Sequence, residues 1–400
     1  MILPLLIYRS LRQHALSTAV TAASLALASG LLMTVWVVKT QAQRAFTETS
    51  TAFDAVLGAR GSKLQLVLNA IFHLEASPGN LAWADYEQIK HHPAVKTAIP
   101  IAAGDNFYGW RIVGTLPELF TSVEYAPGKH YTLSAGQLFQ GEAKEAVVGS
   151  FVAEKLGWKV GAEFKPYHGL AFNPANQHDE RYTVAGILAP TNTPADRVIW
   201  IPLHGVQTMA GHDPRTATDV SAVLIQLRAA TAGMMLDQMY NRQGNRLTFA
   251  YPASAIITDL FAKIGWFDRI LGLVAYLVAL VAAGSILASI YASMNARRRD
   301  IAILRALGAH RRLVFGSVVA EAATIGAVGS LLGFAVYFIL IAVVAKLIRV
   351  QTGVVLSLRS WHEVLWMCPL GMIALSALGG VVPAMKAYRI PVAETLVPIS

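Results

Sequence analysis

The stretch MNARRRDIAILRALGAHRR, residues 294–312, separates two long apolar runs and decides how the chain is organised. Arg-rich segments beside membrane spans are retained in the cytoplasm. Ile301, Leu304 and Leu307 recur at helical intervals, which predicts a short helix with these three side chains on one face, and Gly308 is a suitable stop. Two interpretations fit such a helix. It docks into a groove on a cytoplasmic partner, or it is a solvated loop whose apolar side chains rest on lipid.

The composition is that of a membrane protein. Of 400 residues, 54% are hydrophobic and 14% are charged, whereas an ordinary soluble domain carries about 25% charged residues. The net charge of +9 would favour nucleic acid as a partner of a soluble protein. Here the arginines cluster beside apolar runs, so anionic lipid and cytoplasmic retention explain the charge, and no nucleic acid partner is predicted. Cys368 is the single cysteine, which excludes an internal disulfide and a cysteine-based metal site.

Four apolar runs are long enough to cross a bilayer, which takes roughly 20 residues. They lie at 15–38, 270–294, 313–345 and 364–385. The first run exceeds the roughly 7–15 residues of a signal-peptide core, so we interpret it as an uncleaved anchor. The residues before it mix apolar and basic side chains, which predicts an interfacial helix, and residues 1–43 would hold that helix and the first span.

The basic flanks of the four spans set the predicted orientation. Arg9 and Arg12 precede the first span, the 297–312 segment joins the second and third, and Lys386 and Arg389 follow the fourth. With four spans, all three sets lie on one side of the membrane, which should be the cytoplasm. The segments 39–269 and 346–363 are then outside. The chain is therefore predicted to be a multi-pass membrane protein.

Residues 44–265 have the pattern of a folded α+β domain. A helix is predicted at 80–90 and a strand–helix pair at 146–161, and further strands are predicted at 95–102, 110–114, 182–188, 198–203 and 223–227. The stretch 167–180, rich in Pro, Asn and His, predicts an exposed and mobile loop. The predicted fold class is thus an α-helical membrane protein with four transmembrane helices and a large α+β domain between helices 1 and 2.

No motif in the sequence predicts catalysis or metal binding. The GARGSK stretch at 58–63 lacks the four residues that a phosphate loop needs between its glycines. The histidines are scattered, and no pair has the i, i+4 spacing with an intervening acid that marks a helical metal site. No local Ser/His/Asp grouping indicates a hydrolase. We therefore predict no catalytic residues and no metal ligands.

The third predicted span carries an acid and a row of small residues. Glu321 costs a few kcal/mol at the bilayer centre and less near the interface. It either pairs with a basic group of the 297–312 segment or of a neighbouring helix and transmits motion, or it caps or braces the inner end of the helix bundle. Gly326, Gly329, Ser330 and Gly333 recur at helical spacing and would let another helix approach closely, either within the chain or in a second subunit.

Together these residues resemble the FtsX/MacB/LolC-type permeases, the mechanotransmission class of ABC transporters. RRRDIAILRALGAHRR at 297–312 is similar to the family's coupling segment, EAATIGAVGSLLG at 321–333 to the acid-then-glycine start of its third span, and RIPVAETL at 389–396 to its C-terminal tail. GSFVAEKLGWKVG at 149–161 and VAGIL at 184–188 look like its periplasmic core domain. The resemblance covers nearly the whole chain and is most specific around the coupling segment.

The resemblance implies a location in the bacterial inner (cytoplasmic) membrane. It also implies a dimer of permeases, expected to be a homodimer, with two copies of a separate ABC ATPase. ATP and Mg²⁺ would bind to that partner, so this chain is expected to hold no cofactor and not to be an enzyme. A periplasmic adaptor or substrate-binding protein and membrane lipid are further expected partners. The periplasmic part would have two subdomains, the inserted one at about 117–220, and residues 266–400 would hold spans two to four.

The resemblance also assigns roles to the coupling segment. A coupling helix at about 296–309 would contact the ATPase, and Glu321 would couple motion within the membrane. The residues expected at the ATPase contact are Arg298, Arg299, Ile301, Leu304, Arg305, Leu307 and Gly308. The leading function is a permease that exports or extracts a substrate at the outer face of the membrane. The alternative is a signalling permease that activates a periplasmic cell-wall hydrolase.

Overall fold

The computed structural model describes residues 2–50, 52–141, 143–209, 218–263, 265–296, 298–352 and 361–388. The chain divides into two compact units. Residues 1–41, 265–346 and 357–400 form the first, termed the helical unit, and residues 42–264 and 347–356 form the second, termed the α+β unit.

The helices account for most of the chain outside the sheet. In chain order they are α1 (Ile2–Gln13), α2 (Ala15–Ser50), α3 (Lys63–Ala70), α4 (Trp83–Lys90), α5 (Glu118–Ser122), α6 (Ser150–Leu156), α7 (Leu203–Gln207), α8 (Ala230–Tyr240), α9 (Ala253–Lys263), α10 (Gly265–Ala296), α11 (Arg298–Ala306), α12 (Arg311–Thr352) and α13 (Val364–Tyr388). Two short 3₁₀ helices lie at Pro174–Asn176 and Pro194–Arg197.

All described strands belong to the α+β unit. They are β1 (Ala55–Ala59), β2 (Val95–Phe107), β3 (Trp110–Thr115), β4 (Glu124–Ala126), β5 (Lys129–His130), β6 (Leu133–Gly136), β7 (Glu145–Val148), β8 (Glu163–Phe164), β9 (Tyr167–His168), β10 (Tyr182–Leu188), β11 (Ile199–Pro202), β12 (Ala222–Leu227) and β13 (Leu247–Ala250).

Four helices in the described part of the chain are long and apolar enough to cross a membrane, which confirms the predicted number of spans. The candidate spans are Ala15–Arg44, Gly272–Asn295, Arg311–Val350 and Val364–Lys386. The stretch 346–363 was predicted to be a loop on the outside, but its first part is helical because α12 continues to Thr352; its side of the membrane stays a prediction. The sequence there has no helix-breaking residue before Gly353, so nothing local ends the helix at the membrane boundary.

Small residues of α12 allow close helix packing inside the helical unit. A Cβ atom added at Gly329 would lie 2.6 Å from Leu25 Cβ, and one at Gly333 would lie 2.0 Å from Ser29 Oγ. Both partners belong to α2, so the two helices approach to backbone distance along this row. Of the two contacts that the sequence allowed, the described residues therefore form the one within the chain.

The α+β unit is built on one 11-stranded sheet. Its strand order is β13-β1-β12-β2-β3-β11-β7-β10-β6, with β8 beside β10 and β9 beside β2. The pairs β3–β11 and β7–β10 are parallel, and the other pairs along the order are antiparallel. Neighbouring residues of β1 point to opposite faces, so Val56 and Leu57 enter two different apolar clusters. The sheet is thus buried on both faces.

The stretch 117–220, expected to form an inserted subdomain, supplies the strands at one end of this sheet. The strands β6, β7, β10 and β11 come from it, and β11 joins the rest of the sheet by parallel pairing with β3. One continuous sheet therefore runs through both the insert and its flanks. The division into two subdomains stays a prediction.

The predicted loop 167–180 is tied to the sheet. β9 pairs with the last part of β2, which runs to Phe107 and so passes its predicted end at 102. The Asn106 side-chain amide donates hydrogen bonds to the carbonyl oxygens of Gly169, at 2.9 Å, and Ala171, at 3.2 Å. Residues 171–177 are exposed, as expected, but both ends of the loop are fixed by hydrogen bonds.

Candidate functional site: the coupling segment

The helix predicted at about 296–309 is present as α11, between α10 and α12. It ends where the sequence indicates, because Gly308 has a φ of +100°, a left-handed conformation that glycine adopts without steric cost. The backbone N–H of Leu307 still donates to the carbonyl of Ile303, at 3.0 Å, and that of Gly308 to the carbonyl of Arg305, at 3.1 Å. The segment is therefore a short helix with a defined C-terminal end, placed directly between two spans.

The expectation that Ile301 and Leu307 share one face was wrong. Ile301 is 9% exposed and packs in the apolar cluster of the helical unit, whereas Leu307 is 80% exposed. An α-helix turns about 100° per residue, so positions six apart point roughly 120° away from each other. Leu307 also lies past Ala306, the last helical residue. The side chain of Leu304 lies outside the described part of the structure.

The exposed face of the segment carries a different set of residues. Arg299, Ile303 and Ala306 are exposed and recur at i, i+4 and i+7, so they share one side of the helix, and the exposed Leu307 follows directly after its end. Arg298 is exposed as well, and Arg305 is partly buried. Ile303 was not included in the predicted contact face, because that face was defined by apolar residues at regular intervals starting from Ile301. Counting from Arg299 at intervals of four would have found it.

Glu321 lies in α12 and is 7% exposed. Its Oε1 accepts a hydrogen bond from the Oγ of Ser10, which is itself buried in α1. This contact links the N-terminal helix to the third span, as a brace would. The role of Glu321 in transmitting motion stays a prediction.

A cavity of about 420 Å³ lies in the helical unit, where α12 begins and α13 ends. It is lined by Arg312, Phe315, Met385 and Tyr388. The guanidinium of Arg311 lies over the Tyr388 ring, 5.6 Å from its centroid, so basic and aromatic groups meet at its rim. Since α11 directly precedes α12 in the chain, this cavity and the exposed face of α11 belong to one end of the helical unit.

In the α+β unit the fold brings together three residues that the sequence left scattered: Asp105, His168 and His178. The Nε2 atom of His178 lies 3.2 Å from Asp105 Oδ1, and the Nδ1 atom of His168 lies 3.4 Å from the same oxygen. They are the one group of three or more potential metal ligands among the described residues. Local spacing could not reveal the group, because Asp105 and His168 lie on strands that pair only in the folded chain and His178 follows the loop after the second of them.

His73 has a different environment. Burial lowers the pKa of His73 to about 3, and the positive charge of Arg111 is the second cause, so the ring is neutral at physiological pH. The ring meets the Trp200 indole edge-on with 5.3 Å between centroids. His73 thus serves packing in the α+β unit.

Two family models match the chain. A model described as MacB-like periplasmic core domain matches residues 18–238, more than half of the chain, and one described as FtsX-like permease C-terminal matches residues 272–392. No curated protein sequence matches.

Two solved structures of extracellular regions are similar to part of the chain. The extracellular domain of the noncanonic ABC-type transporter YknZ from Gram-positive bacteria is 15% identical, with a TM-score of 0.30, over 48% of this chain and 97% of that one. The periplasmic region of MacB from Actinobacillus actinomycetemcomitans is 10% identical, with a TM-score of 0.35, over 53% of this chain and 95% of that one.

Proposed function

Because this chain belongs to the FtsX/MacB-type family of ABC-transporter permeases, we propose that it couples ATP hydrolysis by a separate ATPase subunit to movement of its α+β unit. In this proposal the α+β unit lies in the periplasm and handles a substrate at the outer face of the inner membrane. The substrate is not conducted through the spans. The chain works as a dimer, with two ATPase subunits that hold ATP and Mg²⁺.

The observation that carries this proposal is the exposed face of α11. Its apolar side chains, Ile303 and Leu307, are exposed, and so is Arg299. The other side of the helix is fixed, since Ile301 and Ala302 are buried in the helical unit. A helix held on one side and apolar on the other is suited to enter a groove on a partner and to pass its movement to α10 and α12.

The charge distribution supports a cytoplasmic position for α11. Arg9 and Arg12 precede the first span, and the arginines of the 297–312 segment join the second and third. An odd number of spans separates the N-terminal segment from the α+β unit, so basic flanks in the cytoplasm put that unit outside. The ATPase then has the exposed face of α11 on its own side of the membrane.

Copurification with the ABC ATPase tests the proposal. Leu307→Asp and Ile303→Asp each put a charge into the apolar contact, and a well-packed apolar anchor contributes at least about 2 kcal/mol to binding. We expect each variant to weaken ATPase association at least roughly 30-fold while the permease still inserts into the membrane. The matched control is Met234→Asp, an exposed apolar side chain of the α+β unit. ATPase binding that survives both α11 substitutions would exclude this face as the contact.

The alternative, a signalling permease that activates a cell-wall hydrolase, shares the ATPase contact and differs in its periplasmic partner. ATPase activity of the reconstituted complex separates the two functions. A transporter should be stimulated by a transported substrate, and a signalling permease by the hydrolase. Stimulation by a hydrolase alone would replace the first function with the second.

A further inference from the structure

Asp105, His168 and His178 converge on one point of the α+β unit from two directions in the sequence. Asp105 and His168 are directly paired across the antiparallel strands β2 and β9. His178 lies where the chain returns from the exposed loop, and its Nε2 atom is 3.2 Å from Asp105 Oδ1. Each residue presents one potential ligand atom, and these atoms lie within 4.8 Å of one another.

The backbone around the three side chains is fixed before any ligand arrives. The N–H of His178 donates to the carbonyl of Pro166, at 2.9 Å, and the N–H of Gly169 to the carbonyl of Gly104, at 2.8 Å. The Asn106 amide holds the carbonyls of the loop from the other side. The loop from 167 to 178 is therefore closed at its base, so little conformational entropy is left to lose when a ligand binds.

The three side chains differ in exposure in a way that leaves the cluster open on one side. The Asp105 side chain is fully buried, that of His178 is 5% exposed, and that of His168 is 52% exposed. A buried carboxylate needs compensation by positive charge and hydrogen bonds. A cation between the three groups would supply positive charge, and imidazole nitrogens can ligate it through their lone pairs.

We propose that Asp105, His168 and His178 bind a divalent first-row metal ion of the Zn²⁺ type, with a fourth position open on the His168 side. Two imidazole nitrogens and one carboxylate oxygen suit such ions, whereas Mg²⁺ and Ca²⁺ take oxygen ligands. In a tetrahedral site with bonds of about 2.0–2.1 Å, ligand atoms lie about 3.3 Å apart. The two Asp105–histidine distances, 3.2 and 3.4 Å, already have this value.

This site does not rest on the proposed transport function, because it uses only residues of the α+β unit. Three protein ligands with an open fourth position leave room for a water molecule or for a group of another molecule. The bound ion would therefore be exchangeable, unlike one enclosed by four protein ligands. A hydrogen-bonded Asp–His cluster without metal is the competing explanation for the same geometry.

Co²⁺ absorption with Zn²⁺ competition tests the site on the full chain in detergent, without an affinity tag and in a Cys368→Ser background. We expect one Co²⁺ per chain, with the visible spectrum of a four-coordinate ion, displaced by Zn²⁺ and not by Mg²⁺. His168→Ala should lower the affinity at least roughly 10–100-fold, the range found even for residues that only support a ligand. His168 is half exposed, so this substitution should leave the fold intact.

The matched control is His130→Gln. His130 also faces an acid, with its Nε2 atom 3.5 Å from Glu124 Oε1, but that pair is exposed and belongs to no group of three potential ligands among the described residues. This variant should bind Co²⁺ like the parent chain.

Asp105→Asn provides a second test, because it keeps the shape and a hydrogen-bonding group but removes the charged ligand. We expect Zn²⁺ to raise the thermal midpoint of the parent chain and not that of the Asp105→Asn or His168→Ala variants. Absence of binding to the parent, or equal binding by the parent and His168→Ala, would overturn the proposal.

Discussion

Replacing Gly329 with alanine tests the close contact between α2 and α12 on which the packing of the helical unit depends. The new Cβ would lie 2.6 Å from Leu25 Cβ and 3.1 Å from the carbonyl oxygen of Ala22. Carbon atoms prefer separations of about 3.5–4.0 Å. The two helices must therefore move apart by about 1 Å, or Leu25 must leave its rotamer.

The size of the effect follows from overpacking in other well-packed interiors, which costs about 1–3 kcal/mol. Alanine also favours a helix over glycine by roughly 0.5–1 kcal/mol, which works in the opposite direction. Gly316→Ala is the matched control, because Gly316 lies in the same helix and an added Cβ there meets nothing within 4 Å. The difference between the two variants removes the helix-propensity contribution and leaves the packing cost.

Denaturation of the purified chain by SDS in mixed micelles measures this difference. We expect Gly329→Ala to unfold at lower SDS than the parent, with an unfolding free energy about 1–3 kcal/mol below that of Gly316→Ala. Equal stability of the two alanine variants would show that α2 does not pack on α12 at this point. The small residues of α12 would then have no role in bringing these two helices together.

Three further predictions concern location, coupling and pH. A cysteine replacing the exposed Asn176, in a Cys368→Ser background, should react with an impermeant thiol reagent in intact spheroplasts, and reaction only after lysis would reverse the topology. Glu321→Gln should assemble with the ATPase but lose stimulation by substrate if the charge serves coupling, and should lose assembly or thermal stability if it is a brace; wild-type behaviour in both assays would contradict both roles. The pKa of His73 lies at about 3, below its ordinary value of 6.5, so the unfolded chain binds the proton more readily and unfolding free energy should fall as pH drops through this window. Asparagine tolerates the φ of +55° at this position, so His73→Asn should fold but show a weaker dependence of the unfolding free energy on pH in an acid titration. An unchanged pH dependence would show that His73 does not cause it.

The spans were predictable from the sequence because the bilayer imposes a simple rule on them. A helix that crosses lipid must be apolar over its length, and the four runs satisfy this without reference to the rest of the chain. Their ends were less predictable. In α12 the residues after Ala345 keep helix-forming character up to Thr352, so the end of the helix and the end of the apolar run do not coincide.

The end of β2 shows where local patterns mislead. Gly104, Asp105 and Asn106 are residue types that usually form turns, so the sequence indicated a strand that stops at 102. In the structure the register with β3 shifts between Ala103 and Asp105, and the strand then continues to Phe107. The polar side chains of this part are buried, and that of Asn106 bonds to the loop that follows β9. Partners distant in the sequence thus reversed the local preference.

In the coupling segment some features could be predicted from the sequence and one could not. Its position, its basic character and its end at Gly308 follow from the sequence and the turn chemistry of glycine. The sequence does not reveal which side of α11 packs against the rest of the helical unit, because Ile301, Ile303 and Leu307 are all apolar. Only the packing of Ile301 against residues of the neighbouring spans distinguishes the anchored side from the free one.

The length of α12 has a mechanical consequence. Its 42 residues make a rod of about 63 Å, roughly twice the hydrocarbon thickness of a bilayer. It contains no proline, whereas α13 carries Pro369 and Pro383, where a helix can bend. A rod of this length that tilts by about 10° as one piece swings its far end by roughly 11 Å. If α12 turns about its Arg311 end, a small rotation there becomes a shift at Thr352 that is comparable to the width of a helix.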